Sequence, residues 1–139
     1  MPDTRELELL KAFHGHLGPY VVAGLRVGRA GLQGVEADPH FGLDTEVWCP
    51  GAPPPSCFLY GIQFSTGCTL GKQNIRHHVD PDVRARFTNR HTKAVLTLRL
   101  RPEAIAEAVR LMQAGRDVDG AAYIESLSED QLFEVVSDS

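Results

Sequence analysis

Leu7, Leu10, Lys11 and Phe13 recur at helical spacing, so residues 4–13 read as a short helix. Gly15, Gly18 and Pro19 break it, which leaves His14-Gly15-His16 at a helix end or in a tight turn. Pro19 then favours a new start. Val21, Val22, Leu25, Val27 and Leu32 predict a buried helix over 20–32. Ala23, Gly24, Gly28, Ala30 and Gly31 give that helix a small-residue face. Such a face allows close backbone approach, within the core or across the two-fold axis of a homodimer.

Residues 33–42 are turn-like. Leu43–Cys49 alternates as a strand, with Leu43, Thr45, Val47 and Cys49 on one side; Trp48 and Cys49 read as core residues. Residues 50–55 form a stiff proline-rich loop. Ser56 is placed to cap a helix over 57–65, which Gly67 ends. Gly71 makes another turn. Arg84–Asn89 and residues 92–101 are two further strands, joined by a polar turn near Arg90-His91. Pro102 opens a helix over 103–114, and Gly115 stops it. The segment 117–139 predicts a short helix and a final strand. The sum is an α+β protein, a mainly antiparallel sheet packed with helices in a single compact domain spanning 1–139.

The net charge of −4 argues against a basic nucleic-acid-binding face. No apolar run approaches the roughly 20 residues of a membrane span. The opening residues are charged and amphipathic, unlike a signal peptide, which points to the cytoplasm. Three cysteines, an odd count, argue against a disulfide framework there. His40, His77 and His78 lie in polar surroundings and read as surface residues.

Three constellations carry chemistry. In His14-Gly15-His16, a turning glycine lets two imidazoles reach one metal ion; alternatively, a histidine caps the preceding helix at the negative end of its dipole. Cys57 sits in a first helical turn, where the dipole favours thiolate, the species that binds metal or attacks an electrophile; the alternative is a small buried hydrophobe. The run Gly67-Cys68-Thr69-Leu70-Gly71-Lys72-Gln73-Asn74 has three residues between its glycines where a P-loop has four, and Gln73 where a P-loop has Ser or Thr. It remains a polar glycine-hinged turn, able to hold an anion on backbone N–H groups or to serve as a plain connection. Gln63, if buried, needs partners and would orient something. Tyr60 shares the face of Cys57.

Phe13-His14-Gly15-His16-Leu17-Gly18-Pro19 with Gly24-Leu25-Arg26-Val27-Gly28 resembles the opening signature of the family named after the E-type component of formylmethanofuran dehydrogenase. Cys57, Gly61-Ile62-Gln63 and the run from Thr66 to Asn74 resemble its second signature. The resemblance covers about residues 5–101. It implies an α+β fold, often dimeric, with a metal, commonly zinc and otherwise iron or another divalent ion. It implies His14, His16 and Cys57 as ligands, Cys68 as a further one, and Gln63, Thr66, Thr69 and Lys72 beside them. Many members carry cysteine at Gly18, others glycine, and many carry aspartate at Tyr60. Longer members add a cysteine-rich zinc domain, for which no cysteines follow Cys68 here.

Three functions follow. The first is a metal-binding accessory protein of one-carbon or molybdenum/tungsten enzyme metabolism, partnered by a larger oxidoreductase complex. The second is a metal-dependent hydrolase or lyase acting on a small molecule, with Thr69 or Lys72 stabilising anionic charge. The third is a metal-free redox or transfer protein using Cys57 and Cys68 within disulfide reach. Cys57 and Lys72 are the catalytic candidates of the latter two.

Overall fold

The structure, a computed structural model, describes residues 3–137. Helix α1, Thr4–His14, is capped by the Asp3 carboxylate, which accepts from the Glu6 backbone N–H at 2.8 Å. It ends where Gly15 turns left-handed (φ 108°) and donates its N–H to the Lys11 carbonyl. Helix α2, Pro19–Gly34, begins with proline at its first position and runs through the middle of the molecule.

Strand β1, Leu43–Cys49, alternates as its sequence predicts, burying Leu43, Thr45, Val47 and Cys49. Trp48 is not a core residue. The alternation that buries Cys49 turns Trp48 to the opposite face, where it stacks on His78 at 5.0 Å beneath the Arg84 and Arg86 guanidinium groups. The proline-rich loop leads into a 3-10 turn, Pro55–Cys57, and then helix α3, Phe58–Thr66.

Ser56 does not cap that helix. Pro54 already has helical dihedrals (φ −78°, ψ −24°), so Ser56 lies inside a helical turn, whereas a capping side chain needs extended backbone. Cys57 occupies the cap position of α3 with no side-chain hydrogen bond.

Strands β2 (Ile75–Val79), β3 (Arg84–Asn89) and β4 (Val95–Leu100) follow, then α4 (Pro102–Gln113), α5 (Asp117–Ser126), α6 (Glu129–Leu132) and β5 (Phe133–Val136). The five-stranded sheet has the order β2-β1-β3-β4-β5. All pairs are antiparallel except β1 with β2, where Val47 faces His77 and Cys49 faces Val79. Helix α3 forms the crossover that a parallel pair requires. β4 starts at Val95 because Lys93, at φ 69°, keeps the preceding residues in the turn.

The small-residue face of α2 serves the chain's own core. A Cβ on Gly24 would stand 2.2 Å from the Phe58 carbonyl oxygen, one on Gly28 would meet Ser65 Oγ, and one on Gly31 would enter the Phe87 ring. The same helix sends Arg26 to the end of α5, where Nη1 donates to the carbonyls of Ile124 (2.9 Å) and Leu127 (2.6 Å). Among the described residues no helix is long and apolar enough to cross a membrane.

Candidate functional site

Where α1 stops, the left-handed Gly15 folds the chain so that His14 Nδ1 lies 2.8 Å from the His16 carbonyl oxygen. The carbonyl can only accept, so Nδ1 carries a proton, and in the neutral ring Nε2 then keeps its lone pair for a ligand. The two imidazoles face each other with centroids 4.6 Å apart. The Tyr60 ring stands edge-on to His14 at 4.5 Å, and Phe13 packs edge-on to Tyr60 at 5.6 Å. Phe13 and Tyr60 are 50% and 40% exposed, so the histidine turn sits beside a partly open aromatic cluster.

His14, His16 and Cys57 line one cavity of about 20 Å³, together with Met112 from the last turn of α4. The remaining wall is Gly18, Pro19, Tyr20, Val21 and Pro54. That volume suits a single ion or water rather than an organic cofactor. Among the described residues no carboxylate lines it; its side-chain donors are the two imidazoles, the Cys57 thiol, the Met112 thioether and the Tyr20 hydroxyl. Among the same residues no three His, Cys, Asp or Glu side chains already converge at metal-binding distances. Closing on an ion would require these side chains to draw together. The donor set itself fits a zinc-type ion, which accepts imidazole and thiolate.

The helix dipole does not leave Cys57 as a ready thiolate. Burial pushes its thiol above the ordinary cysteine value. Cys49, also buried, is pushed up to about 11, first by desolvation and then by the neighbouring Cys57. Its Sγ lies 3.3 Å from His77 Nε2. A cation bound there would favour loss of the Cys57 proton.

Cys68 is not brought to this cavity. It follows α3, whose nine residues span roughly 13 Å from the Cys57 end. Its thiol is fully buried, 3.4 Å from Thr45 Oγ1 and 3.4 Å from the Leu43 carbonyl. A disulfide between Cys57 and Cys68 would need Cα atoms within about 4.4–6.8 Å, so the intervening helix keeps them from pairing.

Thr66, Thr69, Gln63 and Lys72 also line no part of the cavity. Thr66 Oγ1 donates to the Ile62 carbonyl and accepts from the Cys68 N–H, building the end of α3. The Gln63 carbonyl accepts the Gly67 N–H, which closes the same helix. Lys72 lies over the Phe41 ring at 5.8 Å. The glycine-hinged turn is tied to itself: Thr69 N–H donates to Asn74 Oδ1, Lys72 N–H to Thr69, and Gln73 N–H to the Leu70 carbonyl. Those amides are engaged and do not cradle an anion. Met112 carries no signal in the sequence, since nothing local separates it from any other apolar position on α4.

The fold and site define a compact α+β domain with a small imidazole–thiol cavity between its first helices and α4. Residues 13–137 match the family described as "FmdE, Molybdenum formylmethanofuran dehydrogenase operon", and the chain belongs to that family. It is also similar to a protein of Archaeoglobus fulgidus described as a probable S-adenosyl-L-methionine-binding protein, 34% identical over 74 residues. That stretch is 52% of this chain and 20% of the relative, so the match spans about a fifth of the relative's length.

Proposed function

We propose that this chain is a metal-binding accessory protein, holding zinc or a similar divalent ion on His14, His16 and Cys57, and serving a larger molybdenum- or tungsten-dependent enzyme of one-carbon metabolism. One observation carries the proposal: side chains far apart in sequence, from the turn after α1 and the start of α3, line one ion-sized cavity to which no carboxylate of the described residues contributes. Membership of a family described by a dehydrogenase operon supports the link to a larger complex. The exposed apolar side chains Leu9, Phe13 and Tyr60 on α1 and α3 offer a surface for that partner or for a second copy of the chain. Lys72 and Thr69 stand outside the cavity, so neither supplies there the anion stabilisation that a hydrolase or lyase would draw from them.

When bound, the ion would supply Lewis acidity and a fixed positive charge. The chain's part is to orient His14 through the His16 carbonyl and to give up the Cys57 thiol proton to solvent. The test is elemental analysis of untagged protein beside His16→Ala and Cys57→Ala. Near-stoichiometric metal in the wild type, lost in both variants, is the expected result. Wild type that stays metal-free after reconstitution would overturn the reading.

A further inference from the structure

We infer that this site accepts a soft, thiophilic ion, copper(I), with the Met112 thioether as a donor beside Cys57. The inference rests on the reading of His14, His16 and Cys57 as a metal site, and it adds a second class of ion that the site accepts besides zinc.

The cavity wall sorts the ions by their chemistry. Magnesium and calcium demand oxygen ligands, and no carboxylate of the described residues lines this wall. Two imidazoles and a thiol suit both zinc and copper. Besides the Tyr20 hydroxyl, the remaining donor is the Met112 thioether, and that one separates them. Zinc in proteins is held by cysteine, histidine and carboxylates, whereas a thioether is a soft donor that selects copper(I). The chain has two methionines, Met1 and Met112, so the one within the described residues lines this cavity.

Met112 has the local freedom to act as a ligand. It is partly buried at the end of α4, one residue after the buried Leu111, and packs at the edge of the core. An unbranched thioether in that position can reach or withdraw at small cost. Binding needs no redox step. Copper(I) enters as such, the Cys57 S–H bond gives its proton to water, a copper–thiolate bond forms, and the thioether adds a lone pair without losing a proton.

The test is an anaerobic titration of the full chain against the copper(I) complex of bicinchoninate, with a parallel zinc titration against a chromophoric chelator. Wild type should withdraw about one equivalent of copper(I). Met112→Leu, a volume-conserving change that the fold should tolerate, should weaken copper(I) binding about ten-fold or more, as loss of a metal-site partner typically does. Its zinc affinity should stay within about two-fold of wild type. Unchanged copper(I) affinity in Met112→Leu, or an equal loss for both ions, would overturn the inference and leave the metal site standing. Wild type that binds neither ion would overturn the site and the inference together. X-ray absorption at the copper edge of loaded wild type decides the matter independently of the variant. Two sulfur scatterers are expected, and one would overturn the proposal.

Discussion

Gly24 of α2 and Gly61 of α3 stand back to back, with no room for a side chain on either. A Cβ on Gly24 would lie 3.0 Å from the Gly61 Cα, and one on Gly61 would lie 2.3 Å from the Leu25 nitrogen. Two bare backbones let the helices cross close enough to set the histidine turn, which precedes α2, beside Cys57, which precedes α3. The obstructing atoms are backbone and cannot swing aside. Gly61→Ala should therefore cost about 3 kcal/mol, the upper end for overpacking, read by chemical denaturation. Gly18→Ala is the control. Its Cβ would stand 3.6 Å from His16 Nε2, an ordinary contact, and the cost should stay below about 1 kcal/mol, the weaker cap that alanine makes.

The thiols should separate by accessibility. Cys57 is half-buried, while Cys49 and Cys68 are fully buried. A thiol reagent should label one cysteine per native chain and all three after unfolding. Because burial raises the Cys57 thiol, its labelling rate should still climb above about pH 8.5, the free-cysteine value. Bound zinc should suppress the labelling. Fast labelling at neutral pH, identifiable by peptide mass mapping, would contradict the assigned environment.

Arg26 caps the end of α5 through the Ile124 and Leu127 carbonyls. Burial lowers its pKa while Glu129 and Glu125 act against that, so the charge is retained in a partly desolvated place. Arg26→Gln should cost about 2 kcal/mol, the scale of hydrogen bonds from a charged donor. Amide hydrogen exchange should rise across α5 more than in the sheet. Uniform loss of protection would mean that Arg26 matters only globally.

Glu46 accepts from Arg86 Nη2 at 2.7 Å and lies 2.8 Å from His78 Nε2. The Arg86 bond, first, and the His78 bond hold its carboxyl below the usual glutamate range, against some desolvation. A depressed acid stabilises the fold above its unfolded value and loses that contribution as pH falls through the folded one. Glu46→Gln should thus be less stable than wild type at neutral pH by about 1 kcal/mol. The gap should begin to close below about pH 4.3 and vanish once the pH has fallen through the lower folded value. Melting curves at neutral and acid pH measure it directly.

Most helices and the strands β1, β3 and β4 were legible because each writes its period into local sequence. β2 was not. Ile75–Val79 is an edge strand with four of its five residues exposed, so Arg76, His77 and His78 carry no inward alternation. Its pairing with β1 is set by the α3 crossover, a tertiary cause. The site divides in the same way. His14, His16 and Cys57 were visible as residue types at suggestive turns. Cys68 and Lys72 shared the second signature with Cys57 but lie beyond the length of α3. Motif adjacency in sequence did not translate into adjacency in space. Of the residues in the opening signature, Gly24, Arg26 and Gly28 prove architectural, holding α3 and α5.

The reach of Arg26 across about a hundred positions also orders events in time. During synthesis, His14, His16 and Cys57 emerge early, yet the carbonyls that Arg26 must find come from Ile124 and Leu127. The Met112 wall of the cavity arrives almost as late. Until then the early helices lack the partner that fixes them, and contacts so distant in sequence form slowly. An ion would meet a finished cavity only after Met112 and the α5 carbonyls have packed against the early helices, which places loading late in folding.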